Sequence, residues 1–162
     1  MYTKIVFNER SFKEKMWLSL IAILFLCITL IGCNLKEFKG QYENLNIENN
    51  KLELNVIDYF EKISSLTSSY NKKEIADELA NLIREEEKII KKYENLKPSK
   101  ELQENYDGFL ELLNEKNELY KEFEISIRED NKFTMESILK DMIKNTKEMT
   151  KISNEISNKL SN

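Results

Sequence analysis

A carboxylate at Glu86 and an ammonium at Lys116 each stand where a helical repeat calls for an apolar side chain. Two such groups can meet as an ion pair, or can line a polar spot between helices. The plainer reading, which the sequence favours, lets each run its stem along the seam and carry its charge to the edge. Glu85-Glu86-Glu87 is the densest acidic run, and hard cations want carboxylates. Consecutive helical residues point to different faces, however, and Lys88, Lys91 and Lys92 follow at short spacing. The run therefore reads as a solvated, internally paired face, and no metal site is expected. Histidine is absent, which removes the commonest general base and metal ligand. The serines at Ser64-Ser65 and Ser68-Ser69 then have no partner for an ordinary triad. No Gly-rich phosphate loop or nucleophile elbow occurs. The two cysteines, Cys27 and Cys33, lie in or beside one apolar run, so they build neither a disulfide framework nor a thiolate cluster. No enzyme activity and no cofactor are expected.

The elements that position these residues are helices. The 162-residue chain has one proline and three glycines, too few breakers for an all-β fold. Apolar residues recur in alternating steps of three and four. The first seam runs through Leu45, Leu52, Val56, Tyr59, Ile63, Leu66 and Tyr70, with Asn49 in its one gap. The second runs through Ile75, Leu79, Leu82, Ile89, Tyr93 and Leu96, interrupted by Glu86. The third runs through Leu102, Tyr106, Phe109, Leu113, Tyr120, Phe123 and Ile127, interrupted by Lys116. The fourth runs through Met135, Ile138, Met142, Met149, Ile152 and Ile156, interrupted by Asn145.

Breaks fall at Thr67-Ser68-Ser69, at Pro98 and at Asp130-Asn131. Asn71, with Glu74 three residues on, is a capping-box start; Ser99 caps after Pro98. Such short connections predict antiparallel neighbours. Gly108 sits inside the third seam as a tolerated glycine or mild kink. Segment 99–130 carries net −6 and segment 131–162 net +2, which favours their lying side by side. Tyrosines on the seams read as residues of a thin bundle whose hydroxyls stay wet, in preference to a ligand groove. The methionine stripe Met135, Met142 and Met149 reads as core.

The N-terminal residues carry a different kind of pattern. Residues 1–15 carry net +2, and Met16 to Ile31 is uncharged over 16 residues. Gly32 and Cys33 follow. A basic start, an apolar run and a small junction residue form the anatomy of a secretory signal peptide. The run spans about 24 Å as a helix, short of the roughly 30 Å hydrocarbon core. Counting Gly32 and Cys33 brings it to the lower end of spanning length, so an uncleaved single-pass anchor is the alternative.

Leu30-Ile31-Gly32-Cys33 resembles the lipobox of bacterial lipoproteins. The resemblance implies a diacylglyceryl thioether on Cys33, with cleavage between Gly32 and Cys33 and an acylated (palmitate-type) membrane anchor. Two acyl chains hold a protein on a membrane far longer than one. The chain from Cys33 onward carries 21 basic and 27 acidic residues, a poor match to nucleic acid. The lipobox and the Asn/Lys/Ile/Glu-rich composition together resemble small helical surface lipoproteins of Gram-positive bacteria.

The expected architecture is all-α, a signal or anchor helix followed by an antiparallel three- to four-helix bundle. Residues 1–32 form the signal, 33–48 a lipid-anchored tether and 49–162 the bundle. The expected location is the extracytoplasmic face of the cell membrane. The expected role is an interaction module for an envelope protein or the cell wall; a small-ligand sensor with a site between helices is the alternative.

Overall fold

A computed structural model describes residues 36–63 and 71–161. Over that range the chain is four helices with no strand. Helix α1 is continuous through residues 36–63. Helix α2 is Lys72–Glu94, α3 is Lys100–Glu129 and α4 is Lys132–Ser161. No helix among the described residues is long and apolar enough to cross a membrane. The expected signal segment, Gly32, Cys33 and the Thr67-Ser68-Ser69 break lie outside the described residues.

The caps explain where the helices start and stop. Asn71 caps α2, its side chain accepting from the Lys73 and Glu74 amides at 3.2 and 3.4 Å. Ser99 holds the N-cap position of α3 in extended backbone, but its side chain makes no capping bond. Asp130 closes α3 in the left-handed region, φ 57°, and its amide and that of Asn131 bond back to Ile127 and Ser126 carbonyls. That closure is the helix stop that a short polar residue tolerates. The Asn131 side chain then accepts from the Thr134 amide at 3.2 Å and starts α4.

Contacts across helices run in opposite directions throughout. Tyr59 meets the Ile75 carbonyl and Tyr93 meets Asn46, which makes α1 and α2 antiparallel. Asn105 meets Glu155 while Asn145 meets the Leu112 carbonyl, which does the same for α3 and α4. Tyr42 approaches Ser153, and Lys39 donates to the Leu160 carbonyl, so α1 also lies along α4. The result is an up-down-up-down four-helix bundle.

Three expectations change. The tether assigned to 33–48 gives way to helix from residue 36, and Phe38, Tyr42 and Leu45 are buried. They extend the first seam backward with the same steps of four and three. The tyrosines are not wet: Tyr59, Tyr93 and Tyr106 are buried, their hydroxyls donating to the Ile75 carbonyl, Asn46 and the Tyr93 carbonyl. A buried phenol needs such a partner, and antiparallel helices bring one within reach. Finally, α3 does lie beside α4, but its ion pairs reach α2, through Lys121–Glu87 at 3.0 Å and Arg128–Asp77 at 2.8 Å.

Gly108 continues α3 with an ordinary helical φ. A Cβ there would stand 3.3 Å from Ile152 Cδ1, so the glycine serves the close approach of α4. The methionine stripe is core as expected, with Met142 buried and Met135 and Met149 packed against the clusters.

Candidate functional site

The apolar interior is two clusters. One gathers Phe38, Tyr42, Tyr93, Tyr106 and Phe109 with Leu102, Leu113 and Ile156. The other gathers Val56, Tyr59, Leu79, Phe123, Ile127 and Ile138. Along α2, α3 and α4 the position between the two is polar, and Glu86, Lys116 and Asn145 are buried there. On α1 the clusters change between Leu52 and Val56, beside Glu53, and the buried Asn49 lies one turn earlier, between Leu45 and Leu52. Asn49, Glu86, Lys116 and Asn145 are the four residues that interrupt the four seams.

Lys116 is at the centre, 1% exposed. Its Nζ stands 2.9 Å from Glu86 Oε1 and also pairs with Glu53, a half-buried residue one turn beyond Asn49. The Glu86 contact is a buried ion pair. The other Glu86 oxygen accepts from Asn117 Nδ2 at 3.0 Å. The Lys116 Nζ also lies 5.8 Å from the centre of the Tyr120 ring. Glu86 and Lys116 therefore meet, the outcome the sequence did not favour, because the seam at this level is covered on both sides and offers neither charge an edge.

The electrostatics follow from burial. Desolvation pushes the Glu86 carboxyl above its ordinary range; Lys116 and Asn117 pull it back incompletely. Desolvation alone would depress the Lys116 ammonium, but Glu86 and Glu53 more than offset it and hold it above the ordinary lysine range. Desolvation likewise raises Tyr42, Tyr59, Tyr93, Tyr106 and Tyr120. Among the described residues no group of acidic side chains is placed to hold a metal ion.

The charged layer opens on one side. Between α1 and α4 lies a groove of about 360 Å³, lined by Glu53 of the layer and by Asn49, Asn50, Thr146, Thr150 and Asn154, with Phe109 and Met149 at its base. At its upper wall Asn46 accepts from Tyr93 at 2.6 Å, and the Tyr42 hydroxyl lies 3.3 Å from Ser153 Oγ. The Tyr42–Ser153 contact joins α1 to α4 at that end of the groove. Asn49 Oδ1, buried, accepts no hydrogen bond from the described residues. The same holds for Asn145 Oδ1, whose Nδ2 donates to the Leu112 carbonyl and to Glu115.

An apolar surface flanks the groove. On α1, Ile47, Leu54 and Ile57 are 56, 60 and 51% exposed; on α4, Leu139 and Ile143 are exposed too. At 100° per residue Ile57 lies on the groove wall, and Ile47 and Leu54 lie just outside its α1 lip. Leu139 and Ile143 fall on the side of α4 turned toward α1. Phe133 and Ile125, also exposed, lie elsewhere.

Sequence reasoning named Glu86 and Lys116, and the structure brings them together. It missed Glu53 and Asn117, which complete the network. Asn117 follows Lys116 directly, and Glu53 follows Leu52, so each lies beside a seam and no periodic signal singles it out. No protein-family model, no curated protein and no solved structure matches this chain.

Proposed function

We propose that the chain is a lipoprotein, anchored through an acylated Cys33 on the extracytoplasmic face of the cell membrane, whose four-helix bundle is an interaction module for an envelope protein or the cell wall. The observation that carries the module reading is the α1/α4 face, where five exposed aliphatic side chains flank one groove. A grouping of that kind marks an interaction surface more often than scattered single residues do. The anchor reading rests on Leu30-Ile31-Gly32-Cys33. Cys33 stands five positions before Phe38, the first buried residue of α1, so no long tether is needed.

The first test is the intact mass of the protein taken from the membrane of its own host, beside a Cys33→Ala variant. A chain beginning at Cys33 with a diacylglyceryl mass, absent from the variant, supports the anchor. A full-length chain without lipid overturns it and favours the uncleaved membrane-protein alternative. The module is tested by Leu54→Glu with Ile143→Glu, two exposed positions whose change leaves the core intact. Retention of the bundle on isolated cell envelopes should fall; unchanged retention with an unchanged Tm overturns the assignment of this face.

A further inference from the structure

The charged layer is out of balance. Glu86 and Glu53 share the single ammonium of Lys116, so two carboxylates stand against one cation. The Glu86 and Lys116 side chains are 2 and 1% exposed, while that of Glu53 keeps 28% and lines the α1/α4 groove. The surplus negative charge therefore reaches the outside through Glu53. No cationic side chain among the described residues lines that groove. A partly desolvated carboxylate in surplus is stabilised by a cation brought from outside.

The rim of the groove indicates what carries that cation. On α1 the exposed residues Ile47, Asn50, Leu54 and Ile57 follow in steps of three, four and three. On α4 the exposed residues Leu139, Ile143, Thr146 and Thr150 follow in steps of four, three and four. Each is a second seam, on the open side of a helix whose first seam is buried. Such spacing is that of a helix–helix contact. The two stripes also share one height. Leu54 is 12 positions on from Tyr42, and Asp141 is 12 positions back from Ser153, the residue Tyr42 approaches. Antiparallel α1 and α4 thus bring Leu54, and Glu53 beside it, level with the turn from Leu139 to Ile143. Each stripe is about 15 Å long, three helical turns. Together they form a trough for one more helix, whose apolar ridge would rest on Leu54, Ile57, Leu139 and Ile143. An extended segment would need a strand edge, and the described residues contain no strand.

We propose that the α1/α4 groove binds an amphipathic helix of a partner protein, whose apolar ridge is interrupted by one lysine or arginine that pairs with Glu53. The inference rests on the envelope-protein arm of the proposed function and names that partner's chemistry. A second copy of this chain fits less well, because its own groove would bring another carboxylate and no lining cation. One basic residue in an apolar ridge also fixes the register of the incoming helix.

The test uses the full chain in nanodiscs of zwitterionic lipid, with empty discs as the blank. The probe is a fluorescent three-heptad peptide with leucine at a and d, glutamine elsewhere and one lysine at the central a position, followed by anisotropy. The same peptide with norleucine or glutamate in place of that lysine is the comparison. The lysine peptide should bind about tenfold more tightly than the norleucine peptide, the equivalent of one charge-assisted hydrogen bond, and the glutamate peptide should not bind. Glu53→Gln leaves the Glu86–Lys116 pair in place, so Tm should hold while the lysine and norleucine peptides become equal. Leu54→Glu with Ile143→Glu should abolish binding of both. No binding of the lysine peptide at about 1 mM overturns the proposal. So does equal binding of the lysine and norleucine peptides to the wild type, or a lysine preference that survives Glu53→Gln. A dimer of the full chain in detergent, split by Leu54→Glu with Ile143→Glu, would give the face to a second copy and overturn it too. If the peptides fail while that pair of changes still reduces envelope retention, the module stands and only its partner's chemistry falls.

Discussion

Lys116→Met keeps the aliphatic stem of the buried lysine and deletes its charge, leaving Glu86 and Glu53 facing each other. Removing one partner of a buried ion pair costs about 3–5 kcal/mol when the orphaned charge has no escape. Here each carboxylate has one. Glu53 is half-buried and its head turns to the groove. Glu86, 1% exposed, cannot turn out and takes a proton. Its ordinary value is 4.5, so protonation at pH 7 spans 2.5 pH units; at about 1.4 kcal/mol per unit this caps its penalty near 3.5 kcal/mol. At pH 5 the cap falls below about 1 kcal/mol.

In the variant the folded-state value of Glu86 rises further above the unfolded one, so its contribution is fully present below the unfolded value and is lost as pH rises through the folded value. Urea unfolding followed by circular dichroism should therefore show Lys116→Met destabilised by about 3 kcal/mol at pH 7 and by about 1 kcal/mol at pH 5, relative to wild type. The double variant Glu86→Leu/Lys116→Leu restores two seam positions and should return to within about 1 kcal/mol of wild type, since an apolar replacement of a buried pair is often neutral or better. A Lys116→Met penalty under about 1 kcal/mol at pH 7, or one that does not shrink at pH 5, would show that the ammonium is not sequestered with Glu86.

Two further outcomes follow from the same core. Tyr59, Tyr93, Tyr106 and Tyr120 are raised by burial well above their ordinary 10.0, and Lys116 is raised above 10.5. Groups raised in the folded state give stability that is present below the unfolded value and lost above it. At pH 11 each of the four tyrosines favours the unfolded chain by about 1.4 kcal/mol, together about 6 kcal/mol, the scale of a domain's whole stability. Helix loss and tyrosinate absorbance should therefore appear as one transition above pH 10; stepwise tyrosinate formation in an intact bundle would contradict the burial. Gly108→Ala gains helix propensity of about 1 kcal/mol against a contact with the flexible tip of Ile152, so thermal melts should show it stabilised by about 0.5–1 kcal/mol; a loss would mean α4 cannot give way.

Periodicity alone determined most of the helical architecture. Steps of three and four wrote each seam, and Asn71, Pro98 and Asp130-Asn131 marked the breaks, because caps and chain breakers act on their immediate neighbours. The start of α1 was misread, although Phe38 and Tyr42 continue the seam in step, because the surrounding residues are polar and asparagine-rich and include Gly40. The anchor proposed at Leu30-Ile31-Gly32-Cys33 likewise rests on a local pattern of adjacent residues.

What only the tertiary structure decided is the level at which distant residues meet. Glu86 and Lys116 are 30 positions apart on helices that run in opposite directions, so their heights depend on connection length and packing register, which no local pattern encodes. One turn of slip would leave each charge against an apolar layer. The packed register instead places Glu86, Lys116 and Asn145 between the two apolar clusters, where Glu53 accepts from Lys116 and Asn117 donates to Glu86. The groove has the same origin, since it exists only because α1 returns to lie along α4. A polar residue in a seam is thus visible in one dimension, but whether it is an edge, a partner or a wall is settled by what the opposite helix presents at the same height.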